Sequence, residues 1–241
     1  MFVISMAGLS SRFFKAGYNV PKYQLELFGK SVFWHALSSF KNYFETDLFV
    51  IILRDVYRSK IFVKEQMEIL GIKKYIIKVL EYETKGQAET VYLGIKDLAN
   101  FKSEPVYIFN IDTFRYYFKK PEFTNVCDGY LEVFKGEGNH WSFVEPLDGL
   151  RVGRTTEKDR ISDLCSDGLY YFASLDLFIG LFEQALLENL YIKGELYIAP
   201  MYNLLIKKNL DIRYSLISLS EIDFCGTPDE YRNLQTNGLK H

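Results

Sequence analysis

Apolar residues along the first half of the chain fall into two alternating patterns. Short, largely apolar runs at Phe2 to Met6, Leu48 to Leu53, Tyr75 to Leu80 and Pro105 to Asp112 read as buried strands. Between them apolar positions recur at helical spacing. Ser31 to Phe44 carries them at Phe33, Trp34, Leu37, Phe40 and Phe44, with Ser31 as the expected cap. Tyr57 to Leu70 ends at a helix-stopping Gly71, and Ala88 to Ala99 follows the Gly86 loop. This β-α-β-α-β-α-β rhythm predicts a doubly wound parallel sheet, which binds ligands at the carboxyl ends of its strands. The loop at Gly8 and the acid at Asp112 both fall on that edge.

The pattern changes at Asp128. Shorter, glycine-rich strands are predicted at Gly129 to Phe134, Trp141 to Glu145, Leu150 to Thr155 and Gly168 to Ala173, then a helix from Leu175 to Asn189. No repeat, low-complexity tract or Pro/Ser linker marks a boundary. The expectation is one α/β domain over 1–241, Rossmann-like, with a mostly parallel mixed sheet and a smaller substrate-facing β lobe. Residues 1–127 form its nucleotide-binding half and 128–241 its acceptor-binding half. A length of 241 residues suits one full core.

Composition narrows the function classes. Net charge is −2 with no Lys/Arg block, which argues against nucleic acid as a partner. The 20 Phe and 18 Tyr read first as bulky core. Cys127, Cys165 and Cys225 are odd in number and widely spaced, and His35, His140 and His241 form no local cluster. Neither a disulfide frame nor a zinc site is expected. Met1 to Met6 lacks the basic flank of a signal peptide, and no apolar run approaches a membrane span. A cytoplasmic protein is expected, and self-association stays open.

The chemistry begins with Ala7-Gly8-Leu9-Ser10-Ser11-Arg12-Phe13, followed by Pro21-Lys22. Small residues after a strand let backbone N–H groups approach phosphate oxygens, Arg12 can clamp a polyphosphate, and Lys22 adds a mobile charge. The plain alternative is a strand-to-helix turn with surface cations. Two better-known phosphate motifs fail on specific residues. A dinucleotide fingerprint would need glycine at Ser10 and Phe13, and a P-loop ending at Gly29-Lys30-Ser31 would need one at Gln24.

The run Ala7 to Arg12, Pro21-Lys22 and Gly29-Lys30 resembles the signature of the sugar-phosphate nucleotidyltransferases, which share a GT-A-like fold. The nearest resemblance is to a subgroup from capsule and surface-polysaccharide clusters. Ser10 stands where the family usually has a second glycine. The resemblance implies that Ala7, Gly8, Leu9, Ser10 and Ser11 bind nucleotide, with Arg12, Lys22 and Asp112 catalytic and Asp112 holding Mg²⁺. Thr84 to Thr90 resembles the base-recognition loop, with Gly86, Gln87 and Ala88 against the nucleobase; a helix N-terminus is the alternative. Glu157-Lys158, Gly168 and Glu195 resemble the acceptor-binding positions, although Glu195 reads equally well as a cap.

One departure stands out. The family places a second metal-binding acid two residues before Gly-Thr, and Phe224 occupies that position here. Asp223 is one residue off, which on a strand turns the side chain to the other face unless a bulge intervenes. The implied partners are a nucleoside triphosphate and a small phosphomonoester, either a sugar 1-phosphate or a phosphocholine-like compound. Base and acceptor are open. Trp141, Tyr170 and Tyr197 are aromatic candidates for the acceptor side, each also a plausible core residue. The rival classes are a GT-A glycosyltransferase, which would place Asp rather than Asn110 in a D-x-D, and a non-catalytic sugar-nucleotide-binding subunit.

Overall fold

The structure is a computed structural model describing residues 1–241. The chain begins with β1 (Phe2–Ser5), the short α1 (Ser11–Lys15), the hairpin β2 (Glu26–Leu27) and β3 (Lys30–Ser31), and α2 (Val32–Ser38). Next come β4 (Phe49–Leu53), α3 (Ser59–Leu70), β5 (Tyr75–Val79), α4 (Gln87–Ile95), β6 (Val106–Asn110) and β7 (Thr113–Arg115). Four strands follow: β8 (Gly129–Lys135), β9 (Ser142–Pro146), β10 (Val152–Glu157) and β11 (Leu164–Phe172). The chain closes with α5 (Leu175–Leu187), α6 (Ile198–Lys207), β12 (Ile212–Ile217), β13 (Ile222–Phe224) and α7 (Pro228–Asn237). The fold is mixed α/β, as expected, and no helix is long and apolar enough to cross a membrane.

The predicted helix ends follow their chemistry. The Ser31 hydroxyl accepts the Trp34 amide at 3.0 Å, and Gly71 closes α3 in the left-handed region at φ 73°. The expected helix from Ser31 to Phe44 stops at Ser38. Phe40 leaves helical geometry (φ −108°, ψ 21°) and a single tight turn, Lys41–Tyr43, takes over. Burial explains the break: the Phe40 ring packs 4.5 Å from Phe2, 5.0 Å from Phe109 and 5.1 Å from Phe118. Residues 57 and 58 are likewise not helical; both adopt left-handed backbone ahead of α3.

Compactness divides the chain differently from the halves 1–127 and 128–241. One unit comprises Met1, Thr84–Ile108 and Lys119–Leu219; the other comprises Phe2–Glu83, Phe109–Phe118 and Ser220–His241. The reason is long-range pairing. In the smaller unit β13 returns antiparallel to β7, with Phe224 opposite Thr113, so the last segment belongs with the first. There β1, β4 and β5 pair in parallel, Val3 opposite Val50 and Ile51 opposite Ile77. In the larger unit β11 is the hub. It runs antiparallel to β6 and β8 and touches β9 at Cys165, while β12 joins β8 in parallel and β9 pairs with β10. A bulge between Ser166 and Tyr170 interrupts the pairing of β11 with β8.

Candidate active site

The residues expected to form the phosphate loop, with Lys22 and Asp112, lie wholly within the smaller unit. β1 ends at Ser5, Ala7 is buried, and Gly8 and Leu9 are exposed. Ser10 takes left-handed backbone (φ 52°, ψ 29°) before α1 begins. That geometry accounts for the glycine usual at this position, since a side chain there costs about 1–2 kcal/mol. Ser10 offsets the cost with a tether: its hydroxyl accepts the Lys22 amide at 3.2 Å. Pro21 (φ −58°, ψ 148°) turns the chain so that Lys22 opens a short helical turn. The loop and the lysine are thus tied together by a residue that departs from the usual pattern. Arg12, at the start of α1, is exposed.

The Lys22 ammonium forms an ion pair and hydrogen bond with Asp112 Oδ2, both side chains being 22% exposed. Asp112 sits in the turn between β6 and β7, and its carbonyl accepts the Cys225 amide at 2.8 Å. Gly226 lies against it: a Cβ at that position would fall 2.9 Å from Asp112 Oδ2, and the carboxylate would have to shift. The next residue, Thr227, caps α7 reciprocally with Glu230. The Cys225 thiol, fully buried, is pushed well up by burial first and by Asp112 next, against a smaller lowering by Lys22.

Asp223 is held elsewhere. Its Oδ2 accepts the Tyr116 hydroxyl at 2.7 Å and the Lys240 amide at 3.0 Å, while Lys240 Nζ lies 3.4 Å from Oδ1. Burial, reinforced by this carboxylate, raises the Tyr116 phenol far above its ordinary range. The one-residue offset therefore places Asp223 in a clasp on the terminal segment. No group of three or more His, Cys, Asp or Glu side chains could hold a metal by itself. Asp112 is one partly exposed carboxylate, and this suits Mg²⁺, which takes one or two carboxylates and fills its octahedron with phosphate oxygens and water.

The remaining expected site residues lie in the larger unit and form two linked groups. In the first, the loop before α4 is stiffened by Thr84 Oγ1 to Thr90 Oγ1 at 2.5 Å, Thr90 Oγ1 to the Gly86 carbonyl at 3.1 Å, and the Lys85 amide on Glu89. Gly86 begins α4 with φ 112° and no side-chain cap. Its close neighbour is Leu196: a Cβ on Gly86 would sit 2.6 Å from the Leu196 oxygen and 2.9 Å from its nitrogen. Gln87 is half-buried and Ala88 buried in the first turn of α4.

The second group holds the acceptor candidates. Glu157, buried at the end of β10, accepts the Ser142 hydroxyl and lies 3.6 Å from Lys158 Nζ. Lys158 donates to the Tyr197 hydroxyl at 2.7 Å, with its ammonium 4.6 Å from that ring's centre. Burial raises the Glu157 carboxyl, although Ser142 and Lys158 pull against it. Burial alone would lower the Lys158 ammonium; Tyr197, Glu157 and Glu195 outweigh it, and the net shift is upward. Glu195 stands on a tight hairpin with Ile192, turned by Lys193 (φ 52°) and Gly194 (φ 85°). It caps nothing, since α6 starts from Tyr197 without a side-chain cap. Gly168 (φ 93°) forms the β11 bulge, its amide donating to Ser166 Oγ at 3.2 Å. Among the aromatics Tyr170 is core, with burial pushing its phenol up to about 12, whereas Tyr197 belongs to the polar group. Trp141 is half-buried, and its carbonyl accepts the Lys158 amide at 2.9 Å.

The smaller unit thus brings together a small-residue loop after a parallel strand, a lysine tethered to that loop, and an acid paired with the lysine. No protein-family profile and no curated protein matches the chain. Among solved structures, the nucleoside-diphosphate-sugar pyrophosphorylase from Vibrio cholerae RC9 is 47% identical over 98% of this chain and 100% of its own, with a TM-score of 0.94. The CTP:phosphocholine cytidylyltransferase from Streptococcus pneumoniae is 17% identical over 98% of this chain and 97% of its own, at a TM-score of 0.71. The inositol-1-phosphate CTP transferase from T. maritima is 13% identical over 98% of this chain and 94% of its own, at a TM-score of 0.73. At those lower identities the likeness is one of fold. The chain belongs to the sugar-phosphate nucleotidyltransferase family, and its class of activity is nucleotidyl transfer.

Proposed function

We propose that the protein couples a nucleoside triphosphate to a small phosphomonoester and releases pyrophosphate. An acceptor phosphate oxygen attacks the α-phosphorus, a new P–O bond forms, and the bond to the β-phosphate bridging oxygen breaks. The attacking phosphate is already ionised, so positioning and charge stabilisation carry the reaction. The Ala7 to Ser11 loop presents backbone N–H groups, and Arg12 holds the β- and γ-phosphates. Lys22 neutralises the charge that grows on the α-phosphate. Asp112 is the residue that would hold Mg²⁺, which when bound neutralises donor phosphate oxygens. Asp223 has no part in that site in this account, since Tyr116 and Lys240 occupy its carboxylate.

The Gly86 loop takes the base, and the Glu157, Lys158, Glu195 and Tyr197 group takes the acceptor. A sugar 1-phosphate suits that group better than a quaternary ammonium. The Tyr197 face already carries the Lys158 ammonium, whereas carboxylates at 157 and 195 accept from sugar hydroxyls and Lys158 meets a phosphate. The activated product would feed surface-polysaccharide synthesis, a role supported by the resemblance to polysaccharide-cluster sequences.

The observation that carries the proposal is the Ser10-tethered Lys22 paired with Asp112. Pyrophosphate release, measured for CTP, UTP, GTP and dTTP against glucose 1-phosphate, other sugar 1-phosphates and phosphocholine, tests it. Turnover by wild type that is lost in Lys22→Ala and Asp112→Asn is expected. Turnover that survives both variants would refute the assigned roles.

A further inference from the structure

Gly86 and Leu196 are the two sides of one backbone contact. The Leu196 amide donates to the Lys85 carbonyl at 2.9 Å, and the Ala88 amide donates to the Leu196 carbonyl at 3.3 Å. Both polar groups of the Leu196 backbone are therefore committed to the segment that starts α4, and the Leu196 side chain is buried. The approach is so close that only glycine fits at 86, by space as well as by its φ of 112°. The neighbours of Leu196 on either side are Glu195 and Tyr197. Tyr197 bonds Lys158 Nζ, and Glu195 acts on the charge of both Lys158 and Tyr197. Glu195 is also one end of a hairpin only four residues long, whose rungs are the two Ile192–Glu195 backbone bonds at 2.9 and 3.1 Å.

From these contacts we infer that Leu196 is a positioning residue that couples the two substrates: nucleotide on the Lys85–Ala88 loop sets Leu196, and Leu196 sets Glu195 and Tyr197 for the acceptor. The inference rests on the proposed placement of the base at that loop. A stiff α4 entry, held by Thr84, Thr90 and Glu89, is joined to the acceptor group by the pair of bonds to Leu196. A nucleotide that fixes the loop removes slack from the acceptor group, so the second substrate meets residues already ordered. Nothing in this device requires Leu196 to touch either substrate.

Hydrogen exchange on the wild-type protein, with CTP, UTP, GTP and dTTP added separately with Mg²⁺, reads the coupling without knowledge of the acceptor. The effective nucleotide should slow exchange in 7–22 and 84–91, and also at the amides of Leu196 and its neighbours in 190–197. In parallel, Leu196→Pro, which removes the amide donated to the Lys85 carbonyl, should raise the acceptor KM about tenfold or more and abolish the nucleotide-induced protection of 190–195, while the protection of 84–91 remains. Should no nucleotide protect 7–22 or 84–91, the functional reading fails and the coupling with it. Protection of those segments with 190–197 unchanged would overturn the coupling alone. So would a Leu196→Pro enzyme that keeps nucleotide protection of 84–91 and whose acceptor KM matches wild type.

Discussion

The Lys22 ammonium rests on the Asp112 carboxylate, ninety positions away in sequence, with neither side chain fully exposed. The cation assigned to the α-phosphate and the carboxylate assigned to Mg²⁺ neutralise each other before substrate arrives. Asp112 Oδ2 would hold Mg²⁺ only at the expense of Lys22, whose ammonium would then be available to phosphate, so that substrate binding and assembly of the charges would be one event.

Lys22→Ala should lower the rate by about 10²-fold or more, in line with loss of one preorganised charge donor. The same variant should bind Mg²⁺ or Mn²⁺ more tightly than wild type, because a competitor for Asp112 has gone. Titration calorimetry with Mn²⁺ checks this; weaker metal binding in the variant would show that the pair supports the metal site instead of competing with it.

Gly226→Ala places a methyl 2.9 Å from Asp112 Oδ2 and must shift that carboxylate. We expect kcat to fall about tenfold, less than the ~10²-fold that an ångström's displacement can cost, because the carboxylate end need move only part of that distance. The Mg²⁺ concentration for half-maximal rate should rise with it. An unchanged metal requirement would remove Asp112 from the metal site.

Asp223→Asn separates the clasp from catalysis. The Asp223 carboxylate, 5% exposed, holds Tyr116 and Lys240, and its loss should cost about 1–3 kcal/mol of stability in urea unfolding. The half-maximal Mg²⁺ concentration should stay within a small factor of wild type. A large rise in that concentration would make Asp223 a ligand after all.

The meeting of the Gly8 loop, Lys22 and Asp112 is legible in the sequence, because each closes or follows a predictable strand or turn. Ser31 and Gly71 marked their helix ends for equally local reasons. What stayed hidden depends on contacts across long stretches of chain. Ser10 read as a mild departure from glycine, and nothing local said that its hydroxyl would hold the Lys22 amide. Gly86 reads as a base-loop glycine, and nothing local says that the Leu196 backbone also lies against it. The return of the terminal segment to β7, which decides the fate of Asp223, has no local signature either. The helix α6 has no clean sequence signature because Pro200 interrupts its apolar pattern, although proline is tolerated in a first turn.

The buried Glu157 carboxyl makes stability depend on pH. Its value in the folded protein lies above the ordinary 4.5, chiefly through burial, so the folded state holds its proton more tightly than the unfolded chain does. That contribution is fully present below the unfolded value and is lost as pH rises through the folded one. Glu157→Gln should therefore gain on wild type in thermal stability as pH rises from about 4 to 8, while its acceptor KM rises if the carboxylate meets acceptor hydroxyls. A stability difference that shrinks over that range would contradict the sign.

Pyrophosphate release reads nucleotidyl transfer to a phosphomonoester at the bond that breaks. Wild-type protein with Mg²⁺ should release one pyrophosphate per acceptor consumed for at least one pairing of nucleoside triphosphate and phosphorylated acceptor, with none when the acceptor is left out. Nucleotide binding without acceptor-dependent pyrophosphate release across the whole panel would contradict the account.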